Sequence, residues 1–81
     1  MNYTYILKSL KNGKLYIGQT RDLEKRLKRH NTGQNKSTKD NGPWELIYSK
    51  GFKTRSEAIL LELKLKKFKN PEYILNNLDR I

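Results

Sequence analysis

Apolar residues recur along this chain with two different periods. Tyr3, Tyr5 and Leu7 alternate with Thr4, Ile6 and Lys8, and Tyr16 and Gly18 alternate with Leu15 and Ile17, the two-residue period of strands. Asn12-Gly13 lies between these runs, and Asn-Gly between alternating bulky residues is a strong hairpin signal. The pattern predicts antiparallel strands over Tyr3 to Lys8 and Leu15 to Thr20, with Tyr5 and Tyr16 converging on one face. A further alternation, Trp44, Leu46 and Tyr48 against Glu45, Ile47 and Ser49, predicts a third strand running to Phe52. Pro43 stands at its start, where no ladder donor is lost.

Between and after the strands the period lengthens. Leu23 and Leu27 amid charge predict an amphipathic helix over Arg21 to His30, capped by Thr20 or Asp22 and ended by Gly33. Residues 32–42 are polar and basic and predict a mobile loop of the kind that touches ligands. Thr54 and Glu57 form a capping box, and Ala58, Leu61, Leu65 and Phe68 carry that helix to about Lys69. Asn70-Pro71 suits the start of a short last helix containing Leu75, Leu78 and Ile81. The expected fold is α+β in the order ββαβαα: a three-stranded antiparallel sheet flanked by helices, one domain over residues 1–81, with a site on the concave side of the sheet.

At about 100° per residue, Arg26 and His30 fall within roughly 60° of the Leu23/Leu27 stripe and should face the sheet. Arg21, Lys25, Lys28 and Arg29 are left more exposed. Glu62 falls roughly 40° from Ala58 and close to Leu65, where a carboxylate is costly unless a cation, metal or donor meets it. Arg26, His30 and Glu62 thus point to the side where the tyrosines lie, a coincidence that a solvated face does not produce. The plainer alternatives are ordinary strand aromatics, a packing histidine, and a Glu62–Lys66 pair contributing only about 0.2–0.5 kcal/mol. Lys64, Lys66, Lys67 and Lys69 read as a solvated face.

Charge narrows the functional classes. The 81 residues carry 18 Lys and Arg against 8 Asp and Glu, a formal net charge of +10 with a pI of about 10, the footprint of a polyanion binder. Nucleic acid is the expected partner. No apolar run approaches a membrane span and no signal-peptide pattern opens the chain, so the expected location is cytoplasmic, without a membrane partner. There is no cysteine, which removes disulfides, thiolate metal sites and thiol nucleophiles together and leaves oxygen ligands for any metal.

The ordered motifs Tyr3-Thr4-Tyr5, Tyr16-Ile17-Gly18-Gln19-Thr20, Arg26 with His30, Pro43-Trp44-Glu45-Leu46 and Glu57-Ala58 with Glu62 resemble the GIY-YIG nuclease domain, in particular its small stand-alone members akin to the N-terminal domain of excinuclease C. The resemblance covers about residues 2 to 70. It implies a metal-dependent endonuclease that hydrolyses DNA phosphodiesters, selecting structure or single strands in place of sequence, with Mg²⁺ or Mn²⁺ as cofactor. It assigns Tyr16 as general base or water-orienting group with Tyr5 as its neighbour or alternate, Arg26 as the phosphate-holding group with His30 beside it, and Glu62 as the metal ligand. Gly18, Thr20, Lys25 and Thr38 are the expected substrate-binding residues, Gly18 through close approach of backbone and substrate. Nearby cations, Arg26 with His30 or Lys25, would favour a phenolate. The family's first motif usually reads Gly-Ile-Tyr where this chain has Tyr3-Thr4-Tyr5, and its late polar position falls on Asn70, Asn76 or Asn77. No specificity domain is evident, so an accessory protein that confers specificity belongs among the expected partners. The alternative is a non-catalytic DNA- or RNA-binding module on the same fold.

Overall fold

The computed structural model describes residues 1–32, 42–68 and 70–80. Three strands, β1 (Asn2–Ser9), β2 (Leu15–Thr20) and β3 (Trp44–Phe52), and three helices, α1 (Leu23–Asn31), α2 (Arg55–Lys66) and α3 (Pro71–Asn76), follow the order ββαβαα, and a 3₁₀ turn over Leu78–Arg80 comes last. The sheet is antiparallel with strand order β2-β1-β3, the expected α+β architecture. Among the described residues no helix is long and apolar enough to cross a membrane.

The first strand is central, and hydrogen bonding on both edges lets it be buried on both faces. Thr4, Tyr5, Ile6 and Leu7 are all 1% exposed or less. Alternation sends them to different cores. Tyr5 and Leu7 pack with Trp44, Tyr16, Leu23, Leu27 and Leu46 beneath α1, whereas Ile6 packs with Leu61, Leu65 and Ile74 of α2 and α3. The Thr4 hydroxyl, on the second face, donates to the Ala58 carbonyl of α2 at 2.6 Å.

β3 departs from strict alternation. Ile6 stands opposite Tyr48 but Leu7 opposite Leu46, so Ile47 is an extra residue in β3, as in a β-bulge. Leu46 therefore packs in the α1 core while the adjacent Ile47 and Tyr48 both join the α2 core. The expectation that Trp44, Leu46 and Tyr48 share one face is corrected at Tyr48 by this inserted residue.

Local chemistry explains the element ends. A five-residue link over 10–14 joins β1 to β2; Gly13 adopts φ +78°, and Asn12 Oδ1 accepts from Lys14 N–H at 3.0 Å. Asp22 caps α1 by accepting from Lys25 N–H at 3.1 Å, which decides between the two predicted caps. Thr54 caps α2, accepting from Glu57 N–H at 3.3 Å and donating its hydroxyl to Glu57 Oε1 at 2.9 Å. That helix ends at Lys66 and not near Lys69, since its last turn tightens, with Phe68 N–H on the Leu65 carbonyl at 3.1 Å, and Asn70 must be extended before Pro71. Asn70 caps α3, accepting from Glu72 N–H at 3.0 Å. The last helix is shorter than predicted because Asn77 ends it, its side-chain amide donating to the Tyr73 carbonyl at 2.7 Å. The expected helix stop at Gly33, most of the predicted loop, Thr38, Lys69 and Ile81 lie outside the described residues.

Candidate active site

The site grows from the middle of β1. Tyr5 partners Gly18 across the β1–β2 ladder, and a β-carbon at Gly18 would lie 2.7 Å from Tyr5 Oη and 2.9 Å from its Cζ. The phenol therefore lies over the backbone of edge strand β2 in space that only glycine leaves open. This is the close approach that the structure gives Gly18.

From α1, His30 completes the contact. It lies four residues after Arg26 on the sheet-facing side of the helix, is 1% exposed, and sets Nε2 3.2 Å from Tyr5 Oη. Its ring stands 4.7 Å from that of Tyr16, and Tyr16 lies 6.3 Å from both Tyr5 and Trp44. Three rings thus hold Tyr16 in place, and aromatic pairs at such separations are mutually favourable. Asn31 anchors the end of the helix: its side chain accepts from Trp44 N–H at 2.6 Å and donates to the Trp44 carbonyl at 3.2 Å.

The electrostatics of the cluster are those of a dry pocket beside a cation. Burial pushes the Tyr5 phenol up to about 12, and neighbouring Tyr16 adds to the rise. Arg26 opposes it by charge and by hydrogen bonding, and Glu62 contributes a smaller upward push. Arg26 acts in the expected direction, but at Tyr5 burial outweighs it, so Tyr5 remains a phenol at neutral pH. Burial, with the Arg26 charge behind it, lowers the His30 imidazole below its ordinary 6.5. A protonated phenol and a neutral imidazole can share one hydrogen bond, Tyr5 donating to Nε2 when the ring proton is on Nδ1.

Glu62 arrives from the opposite layer. Helices α1 and α2 cover different faces of the sheet, so their polar groups can share one neighbourhood only at its rim, where the Tyr5 phenol overlies Gly18. The Glu62 side chain is 18% exposed and pairs with Lys66 at 3.4 Å, a long contact that leaves most of its acceptor capacity unspent. Among the described residues no three His, Asp or Glu side chains form a closed metal cage. A hard, half-buried carboxylate is nonetheless the donor that an open magnesium site uses, since Mg²⁺ keeps several waters and is held by one or two carboxylates.

The remaining predicted residues lie at the margin. Thr20 is buried at the end of β2, accepting from Asp22 N–H at 3.2 Å and donating to the Asp22 carbonyl at 3.3 Å, and it lines a cleft of about 500 Å³ together with exposed Lys25. Arg21, Arg29 and Arg55 line it too. Helix spacing marks Arg21 and Arg29 as exposed, but nothing in the sequence brings Arg55 of α2 beside them. Of the three asparagines open for the late polar position, Asn70 and Asn77 are committed to capping α3.

Tyr5 of β1, Tyr16 of β2 and Arg26 and His30 of α1 thus lie together, with Glu62 of α2 acting on the same phenol, and a model of the GIY-YIG catalytic domain matches residues 1–76. The chain belongs to the GIY-YIG family, a nuclease superfamily. Among individual proteins it is similar to the UPF0213 protein of Staphylococcus saprophyticus, 46% identical over 83% of this chain and 82% of that one. It is likewise similar to the UPF0213 protein of Streptococcus pneumoniae serotype 4, 40% identical over 96% and 82%. The solution structure of a UPF0213 protein from Bacillus halodurans superposes with a TM-score of 0.54 at 35% identity, covering 90% of this chain and 79% of the other.

Proposed function

We propose that this protein is a divalent-metal-dependent endonuclease that hydrolyses DNA phosphodiester bonds, residues 1–81 acting as one cytoplasmic domain. The observation that carries this reading is the contact of His30 with both Tyr5 and Tyr16, beside the Arg26 guanidinium; Glu62 is near enough for its charge to act on the same phenol. Hydrolysis needs a proton acceptor for water, a cation on the phosphate and a stabilised leaving oxygen. Tyr16 is the better acceptor of the two tyrosines, being half-buried where Tyr5 is sealed and its phenol raised. Once the Tyr16 hydroxyl has given its proton to solvent, its oxygen takes a proton from the water that attacks phosphorus; the P–O bond opposite the entering water breaks, and the leaving oxygen takes a proton from solvent.

Arg26 presents a planar fork suited to two phosphate oxygens. Tyr5 remains protonated and, with His30, orients Arg26 and Tyr16. Glu62 would hold Mg²⁺ or Mn²⁺, which supplies charge neutralisation at the phosphate when bound. Selection by strand structure follows from a small open cationic surface, which meets phosphates and shape before base edges. Sequence selection would need an accessory partner.

The test is incubation of the protein with end-labelled single-stranded, duplex and branched DNA in Mg²⁺, Mn²⁺ or EDTA, beside Arg26→Ala and Glu62→Ala. Metal-dependent cleavage lost in both variants is the expected result. Absence of cleavage on every substrate, with salt-sensitive binding retained, would replace this reading by the non-catalytic binding module.

A further inference from the structure

The cleft beside the phenol cluster has a composition that the hydrolytic chemistry does not use. It lies between the end of β2, the start of α1 and the start of α2, and is lined by Arg21, Lys25, Arg26, Arg29 and Arg55 against one acid, Asp22. The Asp22 carboxylate is turned to the α1 terminus, accepting from Lys25 N–H at 3.1 Å. Among the described residues none of these five cations forms a direct ion pair with a carboxylate. Cations drawn from two helices into one concavity repel one another unless a polyanion fills it.

We propose that this cleft holds the phosphates of the substrate strand that flank the scissile bond on one side, with Arg21, Lys25, Arg29 and Arg55 as the contacts. The inference rests on the endonuclease reading for the position of the scissile bond, but not for the binding itself. Arg26 belongs both to the cleft lining and to the surroundings of the Tyr5 phenol, so a backbone running through the cleft is led from the flanking contacts to the reacting phosphate. The remaining lining residues, Gln19 and Thr20, offer an amide and a hydroxyl.

The cleft also limits what can be recognised. None of the described residues that line it is aromatic, and sequence-tolerant binding of unpaired bases relies on aromatic stacking. The cleft therefore reads phosphate without reading base. Arg55 decides the matter, because it alone comes from α2. It makes the cleft a two-sided clamp where α1 by itself would give a basic ridge.

The experiment measures binding in EDTA by fluorescence anisotropy over a salt series, using labelled purine-only, pyrimidine-only and duplex oligonucleotides. It compares wild type with Arg55→Gln, Arg55→Lys and the pair Arg21→Gln/Arg29→Gln. With Arg26 on the reacting phosphate and four contacts in the cleft, five phosphate contacts predict a slope of log K against log salt of about −4.5 on duplex and about −3.5 on single strands. Arg55→Gln should lower affinity several-fold and flatten the slope by about 1, Arg55→Lys should restore the slope, and purine and pyrimidine strands should behave alike. Cleavage of substrates shortened from either end should fall steeply for one end only. Wild-type affinity and slope in Arg55→Gln, or equal sensitivity to shortening at both ends, would overturn the proposal while leaving the nuclease reading intact. A flattened slope in a protein that cuts nothing would uphold the cleft and remove the nuclease reading. Arg55 is exposed, so circular dichroism of Arg55→Gln should match the wild type, and the Arg21/Arg29 pair repeats the test from α1.

Discussion

Replacing Gly18 by alanine probes the packing of the site and its chemistry together. The new methyl would meet Tyr5 Oη at 2.7 Å, Tyr5 Cζ at 2.9 Å and Tyr16 Cε1 at 3.3 Å, whereas carbon contacts are optimal at about 3.5–4.0 Å. The phenol has little room to retreat, because Tyr5 is 1% exposed and its oxygen is 3.2 Å from His30 Nε2. Overpacking of this kind costs about 1–3 kcal/mol, and loss of the buried hydrogen bond places the expected value in the upper half of that range. One kcal/mol lowers Tm by about 4–8 °C in a domain of this size, so Gly18→Ala should melt about 8–24 °C below wild type by circular dichroism. Tyr5→Leu removes the ring tip that the methyl strikes. In a double-mutant cycle the pair should therefore be more stable than additivity predicts by at least about 1 kcal/mol. A Gly18→Ala protein melting within about 2 °C of wild type, or strict additivity with Tyr5→Leu, would refute the steric account of this glycine.

Other parts of the structure give further expectations. Thr4→Val keeps the side-chain shape but deprives the Ala58 carbonyl of its 2.6 Å donor; urea titration should show a loss of about 1–3 kcal/mol, and an unchanged midpoint would mean that this tie between β1 and α2 contributes nothing. Asn31→Ala removes both contacts to the Trp44 backbone and should cost about 1–3 kcal/mol by the same measurement, with near-ultraviolet circular dichroism reporting a looser Trp44. The lowered folded-state His30 value means that the unfolded chain takes up its proton first as pH falls. Its contribution is therefore fully present above about 6.5 and is lost as pH drops below that; His30→Gln should flatten this slope in denaturant titrations at successive pH, and an identical slope would remove His30 as its source. Tyr5, pushed up to about 12, works in the opposite sense: its contribution is present below about 10 and disappears as pH rises towards 12. Burial raises the Tyr48 phenol as well, so ultraviolet titration should find two late-ionising tyrosines among the five, the later of them absent in Tyr5→Phe.

The elements were legible because their signals are local. Asn12-Gly13, the Thr54–Glu57 box and Asn70-Pro71 each fix a turn or cap from adjacent residues, and the spacing of Leu23, Leu27, Arg26 and His30 is enough to turn the last two toward the sheet. The bulge at Ile47 left no such mark: no glycine or proline accompanies it, and it exists because β3 must follow β1 while serving two cores. The convergence of Tyr5, Tyr16, Arg26, His30 and Glu62 could be read in outline from periodicity. The sign of the balance at Tyr5 could not, since it depends on how far burial outweighs Arg26. Arg55 was invisible for a similar reason. Nothing in its neighbours indicates that the start of α2 comes beside α1, because that placement is set by Ala58 and Leu65 packing on the far side of the sheet.

The paired contacts between Asn31 and Trp44 separate the geometry of the site from the chain that joins them. Residue 31 follows His30 directly, and residue 44 supplies the ring beside Tyr16, so both ends of the intervening stretch are held where the chemistry needs them. A single side chain, that of Asn31, thus holds the register between the helix that carries His30 and the strand that carries Trp44, so the spacing of the rings around Tyr16 depends on one residue that is itself no part of the chemistry.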